Sequence, residues 1–231
     1  MGMNEQADLA TLLLQAKVDA RIIDPLARFG ALLLEENRRT NLTGAKSAIE
    51  LASHILDSLT VVPYVRNLHV DIGSGGGFPA IPLAIASGCE ITMIESVAKK
   101  ARFLERMLDV FALKGRVLAL RAEVAARDEA LRDRFESGTA RAVALAPTVA
   151  ELLLPFLAPG GVALLQRGAM DDRERNAVRD AVLMLASEVE DELPLEGERR
   201  ILRLTKLGST PQRFPRREGI PAKRPLCYIL P

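Results

Sequence analysis

Val70-Asp71-Ile72-Gly73-Ser74-Gly75-Gly76-Gly77-Phe78-Pro79 is a short apolar run broken by one acid and followed by glycines at every second position. A helix-like segment, 80–86, comes next. Glycine tolerates positive φ and lets a ligand approach the backbone, so the stretch predicts a strand, a tight turn and a helix N-terminus. The usual dinucleotide fingerprint, G-x-G-x-x-G, seats a pyrophosphate at its turn. Here the spacing is Asp71-x-Gly73-x-Gly75-x-Gly77, led by a carboxylate, which better suits a ligand with a positive end. S-adenosylmethionine (AdoMet), with its ammonium and sulfonium, is such a ligand. A glycine-rich turn that binds nothing has the same local pattern, so this stretch alone leaves both readings open.

Outward from that turn, strands alternate with helices, the mark of a parallel sheet covered on both faces. Strands are expected at 68–72, 90–95, 116–120, 141–145 and 162–166, with helices at 81–86, 98–112, 125–135 and 148–157. Pro159-Gly160-Gly161 predicts a sharp helix-to-strand turn, followed by a helix over 172–185 and a hairpin of strands 189–193 and 200–204 around Glu196-Gly197. Upstream, Leu9, Leu12, Leu13 and Ala16, then Ile22, Ile23, Leu26, Phe29, Leu32 and Leu33, recur at helical spacing. Asn41-Leu42-Thr43-Gly44 breaks that pattern, and Ser47 can cap a third helix. The end of the chain is basic and proline-rich, extended, with a short strand expected at 226–230. The organisation expected is a helical subdomain over 1–66, an AdoMet-binding core over 67–208 and a basic tail over 209–231. The fold class is α/β: a doubly wound, Rossmann-like sheet in the element order of class I AdoMet-dependent methyltransferases, with an N-terminal helical cap.

Length and composition bound the function. At 231 residues, 48% apolar and 26% charged, the chain suits one globular domain with a small appendage. A net charge of +1 provides no overall field for nucleic acid, so any such contact is local. Tryptophan is absent, and base-stacking platforms are not obvious. Cys89 and Cys227 show no ligand or redox spacing, which fits a reducing compartment. The first residues lack a signal-peptide pattern and no apolar run reaches membrane-spanning length, so a cytoplasmic protein without a membrane partner is expected. The Asn41-Leu42-Thr43 sequon has no consequence there.

In open α/β sheets the ligand lies beyond the carboxyl ends of the strands. After the first strand stand Asp71, Gly73, Gly75, Gly77 and Phe78, and after the second Glu95 and Ser96, where an acid suits ribose hydroxyls. After the third come Arg121-Ala122-Glu123, a backbone N–H and a carboxylate for an adenine edge. The fourth opens on Thr139-Ala140-Arg141, whose guanidinium suits a methionine carboxylate or an RNA phosphate. Singly, Glu95 and Glu123 are ordinary helix caps and Arg141 an ordinary surface ion pair; four positions in register favour a site. Lys99 and Lys100, in a first helical turn where the macrodipole disfavours cations, fit either a solvated face or an anionic partner. His54 and His69 lack partners at a catalytic spacing, and with no H-E-x-x-H or C-x-x-C pattern no metal is expected.

Asn41-Leu42-Thr43, His54-Ile55-Leu56-Asp57-Ser58-Leu59, the segment from Asp71 to Pro82, Arg141-Ala142-Val143-Ala144 and Pro159-Gly160-Gly161 occur in order. The tail Thr210-Pro211-Gln212-Arg213-Phe214-Pro215-Arg216-Arg217-x-Gly219-x-Pro221 follows. Together these resemble the RsmG (GidB) family, methyltransferases of guanine N7 in 16S rRNA of the small ribosomal subunit. The resemblance implies AdoMet held through Gly73, Phe78, Ala122, Glu123 and Arg141. Arg167, Lys99, Lys100, Arg213, Arg216 and Arg217 are the candidate RNA contacts; no catalytic residue is singled out, and a monomer is expected. Two positions depart from the family: Ala140 stands where serine is common, and Arg167 where lysine is usual. Charge survives at Arg167, whereas a hydrogen bond through Ala140 does not. Guanine N7 has an in-plane lone pair and no proton, so methylation there needs no general base. The rival readings are a nicotinamide-dependent oxidoreductase, which lacks a Tyr-x-x-x-Lys here, and a non-catalytic RNA-binding module of the same fold.

Overall fold

Strand β1 (Leu68–Ile72) is buried along four of its five residues, as a central strand of a sheet covered on both faces should be. In the computed structural model, which describes residues 2–141 and 144–228, it pairs in parallel with β2 (Glu90–Ile94) and β4 (Phe135–Arg141). Beyond these lie β3 (Gly115–Leu118) and β5 (Leu157–Arg167), also parallel. The antiparallel pair β6 (Ser187–Pro194) and β7 (Arg200–Lys206) completes the order β3-β2-β1-β4-β5-β7-β6. The winding reverses between β1 and β4, and a crevice opens at the carboxyl ends of the strands there.

Helices cover both faces. On one, α1 (Gly2–Gln15), α2 (Ala20–Thr40) and α3 (Ala48–Leu59) pack with α4 (Ala80–Ser87) and α5 (Ala98–Val110). Leu9, Phe29, Leu33 and Ile55 share a single cluster with Ile81, Met93 and Leu104. On the other face, α7 (Ala146–Leu153) and α8 (Asp172–Met184) pack through Val149, Leu153, Val178 and Val182. Ser47 does cap α3, accepting the Glu50 N–H at 3.3 Å. At the end of α2, the Asn37 carboxamide accepts the N–H groups of Leu42 (2.6 Å) and Thr43 (2.9 Å) and donates to the Thr43 carbonyl (2.9 Å). This pins the predicted break against the glycine turn: a Cβ at Gly76 would lie 2.8 Å from the Leu42 carbonyl oxygen.

Several boundaries differ from the sequence expectation. The fourth strand ends, rather than begins, at Arg141; of the 141–145 segment, Ala142 and Val143 lie outside the described residues. The expected helix 125–135 is only the single turn α6 (Ala122–Ala125), because Arg132 is drawn into long-range bonds with the carbonyls of Thr210 (2.7 Å) and Phe214 (3.1 Å). Pro159-Gly160-Gly161 lies inside β5, where the register jumps from Phe135↔Leu157 to Ser137↔Val162. The tail is docked, with Phe214 and Leu226 in the second core cluster and a one-turn helix, α9 (Ile220–Lys223). Residues 226–228 are not a strand, and 229–230 lie outside the described residues. Among the described residues no helix is long and apolar enough to cross a membrane.

Candidate functional site

The glycine turn takes the shape its spacing demands. Gly73, Gly75 and Gly77 have φ of 68°, 55° and 95°, a left-handed region that side chains disfavour. The Gly73 N–H donates to the Ile94 carbonyl at 2.8 Å, tying the end of β1 to the end of β2. Glu95 holds the turn from below: one oxygen accepts the Gly75 N–H at 2.8 Å and the other the Val97 N–H at 2.7 Å. Two lone-pair positions of that carboxylate are thus already used. Phe78 is buried, edge-on to Phe29 at 5.4 Å, and forms the floor under the Arg141 guanidinium, 4.8 Å from its ring centroid.

Two hollows flank the turn. The smaller, about 120 Å³, is lined by Ile72, Gly73, Ser96, Leu120, Ala122 and Glu123. Ala122 opens α6, so no preceding helical turn supplies an acceptor for its N–H. Glu123 accepts the Gly219 N–H at 3.0 Å and an Arg121 N–H at 3.3 Å. Burial works to raise its pKa, but the bonds from Gly219 and Arg121 outweigh this and the net shift is downward. The larger cavity, about 450 Å³, is walled by His54, Asp57, Arg141, Gln166, Arg167 and Arg199. Asp57 bridges Arg141 and Arg199, each at 3.3 Å. Among the described residues, Gln166 Oε1 and Arg167 Nε are buried there without a hydrogen-bond partner.

Asp71 lines neither hollow. It is 1% exposed, accepts the Thr139 hydroxyl on Oδ1 at 2.6 Å, and leaves Oδ2 without a hydrogen-bond partner among the described residues. Burial pushes its carboxyl up to about 7, against the Ser74 and Thr139 hydroxyls and Arg141, which pull it down. An orphaned, half-neutral carboxyl under a glycine turn fits a ligand that brings positive charge, and the donor–acceptor pair at Ala122 and Glu123 fits a nucleobase edge. The residues present therefore suit AdoMet.

The family profile described as rRNA small subunit methyltransferase G (GidB) matches residues 22–202. The chain belongs to the GidB family. Among its GidB relatives, the ribosomal RNA small subunit methyltransferase G of Deinococcus deserti is 38% identical over 90% of this chain and 91% of its own. That of Roseiflexus castenholzii is 38% identical over 91% and 94%. A magnesium protoporphyrin IX methyltransferase from Synechocystis PCC 6803 with bound SAM shares the fold: TM-score 0.54 at 12% identity, over 77% of this chain and 97% of its own. The mitomycin 7-O-methyltransferase MmcR gives TM-score 0.55 at 17% identity, over 86% and 75%. The GidB chain thus has the Rossmann-like methyltransferase fold, and AdoMet is its cofactor.

The candidate RNA contacts of this GidB chain separate into two groups. Lys99, Arg213 and Arg217 are exposed and Lys100 half-buried. Arg167 and Arg216 face inward: Arg167 pairs with Glu174, and Arg216 grips the fully buried Glu151 through Nε (2.9 Å) and Nη2 (2.6 Å). Both guanidinium groups already hold carboxylates. Sequence reasoning missed Arg199 altogether. Asp57 lay inside a quoted motif block, but only the fold brings it to Arg141.

Proposed function

We propose that this chain transfers the methyl group of AdoMet to N7 of a guanine in 16S rRNA, acting as a monomer in the cytoplasm. The coarser activity, AdoMet-dependent methylation of small-subunit rRNA, goes with the family; the base, the atom and the residue roles are our reading. One observation carries it: a small hollow at the ends of β1, β2 and β3 and an arginine-walled cavity at the ends of β4 and β5 lie at one rim of the sheet, with neither cysteine lining them. Cytosine C5 methylation calls for such a cysteine nucleophile, whereas N7 offers its own lone pair.

Gly73, Ser96, Ala122 and Glu123 would hold the adenosine, with Glu95 keeping Gly75 in place and the Ser74 carbonyl keeping Gly77. Asp71 would face the positive end of the cofactor, and Arg141, seated on Phe78, its carboxylate. When bound, AdoMet supplies an electrophilic methyl group. The protein aligns it with N7, an ordering that is worth roughly 7–11 kcal/mol of barrier in well-oriented reactions. Gln166 and Arg167 line the cavity that would receive the entering nucleotide. Lys99, Lys100, Arg213 and Arg217 would meet RNA phosphates, while Arg216 anchors the tail. N7 lies in the deep, narrow major groove of A-form RNA, so the target guanine must be in a loop or otherwise exposed. Labelled AdoMet, incubated with small subunits from a strain lacking the enzyme, tests the reading. Label must appear as N7-methylguanosine at one nucleotide; label on a carbon or an exocyclic amine, or none, overturns it.

A further inference from the structure

Four polar side chains fill the seam between β1 and β4, where a central parallel strand ordinarily carries aliphatic residues. His69 stands opposite Ser137 and Asp71 opposite Thr139, and none of the four is more than 1% exposed. Their contacts run in single file. The Arg66 N–H donates to Ser137 Oγ at 2.9 Å, and that hydroxyl lies 2.8 Å from His69 Nδ1. His69 Nε2 lies 2.9 Å from Thr139 Oγ1, which donates to Asp71 Oδ1 at 2.6 Å.

The ends of this file fix its direction. A main-chain N–H only donates, so Ser137 accepts from Arg66 and has its own hydrogen for Nδ1. Thr139 gives its hydrogen to Asp71 and must accept from Nε2–H. Running the file backwards would leave the Ser137 hydrogen without an acceptor in the file. Burial, which lowers the His69 pKa to about 3, keeps the ring neutral, as the arrangement requires.

We propose that His69, held as the neutral Nε2–H tautomer, is a positioning residue for the cofactor: through Thr139 it fixes Asp71 Oδ1 and leaves Oδ2 as the oxygen free for a positive ligand group. The proposal rests on the AdoMet role given to Asp71 above. Among the described residues, Oδ2 is the atom without a hydrogen-bond partner. His69 itself lies two residues back along β1 and touches no ligand. The charged groups that bear on Asp71 are Arg141, which favours its ionised form, and Glu95, which opposes it.

Long-range proton–nitrogen spectra of the full chain with labelled histidine read the tautomer directly. His69 must show a protonated Nε2 and a bare Nδ1, unchanged from about pH 5 to about pH 9. An Nδ1–H ring, or one that titrates in that range, overturns the proposal. Calorimetric AdoMet titrations of Thr139→Val and Thr139→Ser across pH give the functional readout. Losing the Thr139 bond raises Asp71 further. One unit above about 7 cuts its ionised fraction at pH 7 from about a half to about a tenth, so Thr139→Val binds about five-fold more weakly there. The deficit fades above about pH 9, and Thr139→Ser matches the wild type. A loss equal at every pH, or a Thr139→Val profile that overlays the wild type, overturns the proposal. Failure of the wild-type protein itself to bind AdoMet would instead overturn the cofactor role of Asp71, and this inference with it.

Discussion

Asp71→Asn keeps the shape of the side chain and an acceptor for Thr139 but removes a titrating group buried between β1 and β4. Burial, aided by Glu95 and opposed by Ser74, Thr139 and Arg141, raises the Asp71 carboxyl from 3.8 to about 7. Such a group binds more protons folded than unfolded, so its stabilising contribution is full below about pH 4 and is lost as pH rises through about 7. At about 1.4 kcal/mol per unit, that interval amounts to about 4 kcal/mol. His69 runs the other way: burial lowers it from 6.5 to about 3, so its contribution is present above 6.5 and lost as pH falls towards 3. Between about pH 4 and 6.5 the two slopes oppose each other in the wild-type protein. In Asp71→Asn only the His69 slope remains. Urea unfolding followed by far-UV circular dichroism (the chain has no tryptophan) gives the stability of both proteins at each pH. Groups common to both cancel in the difference. Variant minus wild type should rise by about 3 kcal/mol from pH 4 to pH 7, and a difference constant within about 1 kcal/mol over that range would refute the reasoning.

Arg216→Ala leaves Glu151 fully buried without its partner and should cost about 3–5 kcal/mol in urea unfolding; a loss below about 1 kcal/mol would return Arg216 to the RNA-facing group. Gly73→Asp puts a side chain at φ 68° beside the smaller hollow, so AdoMet should no longer raise its melting temperature while the unliganded protein still unfolds cooperatively. Lys99→Ala should lower the slope of log affinity for single-stranded rRNA fragments against log salt by about 0.7, the effect of one lost phosphate contact, with AdoMet affinity unchanged.

The alternation of strands and helices was legible because the strands about the glycine turn are apolar and bounded by glycine and polar residues. The glycine turn, Ser47 and the break at Asn41 were legible for the same reason: each is local chemistry. β4 was misplaced because it carries Ser137 and Thr139, which are buried only by bonding to His69 and Asp71 some 70 residues away, whereas the sequence from Arg141 onward is the more apolar. The alanine-rich stretch after α6 has the propensity of a helix, but Arg132 bonds to tail carbonyls 78 and 82 residues on, and tertiary contacts prevail over propensity. At the site, the turn and the strand ends were readable from spacing. The inward turn of Asp71, the load on Glu95 and the pairing of Arg216 with Glu151 were not, since each depends on a partner that only the fold brings near.

A crystal structure of the protein with AdoMet tests the central claim most directly. The account predicts adenosine against Gly73, Ala122 and Glu123, the methionine end towards Arg141, and Asp71 Oδ2 facing the cofactor's positive charge. Adenosine seated elsewhere, or a cofactor that leaves Asp71 and Arg141 untouched, would contradict it.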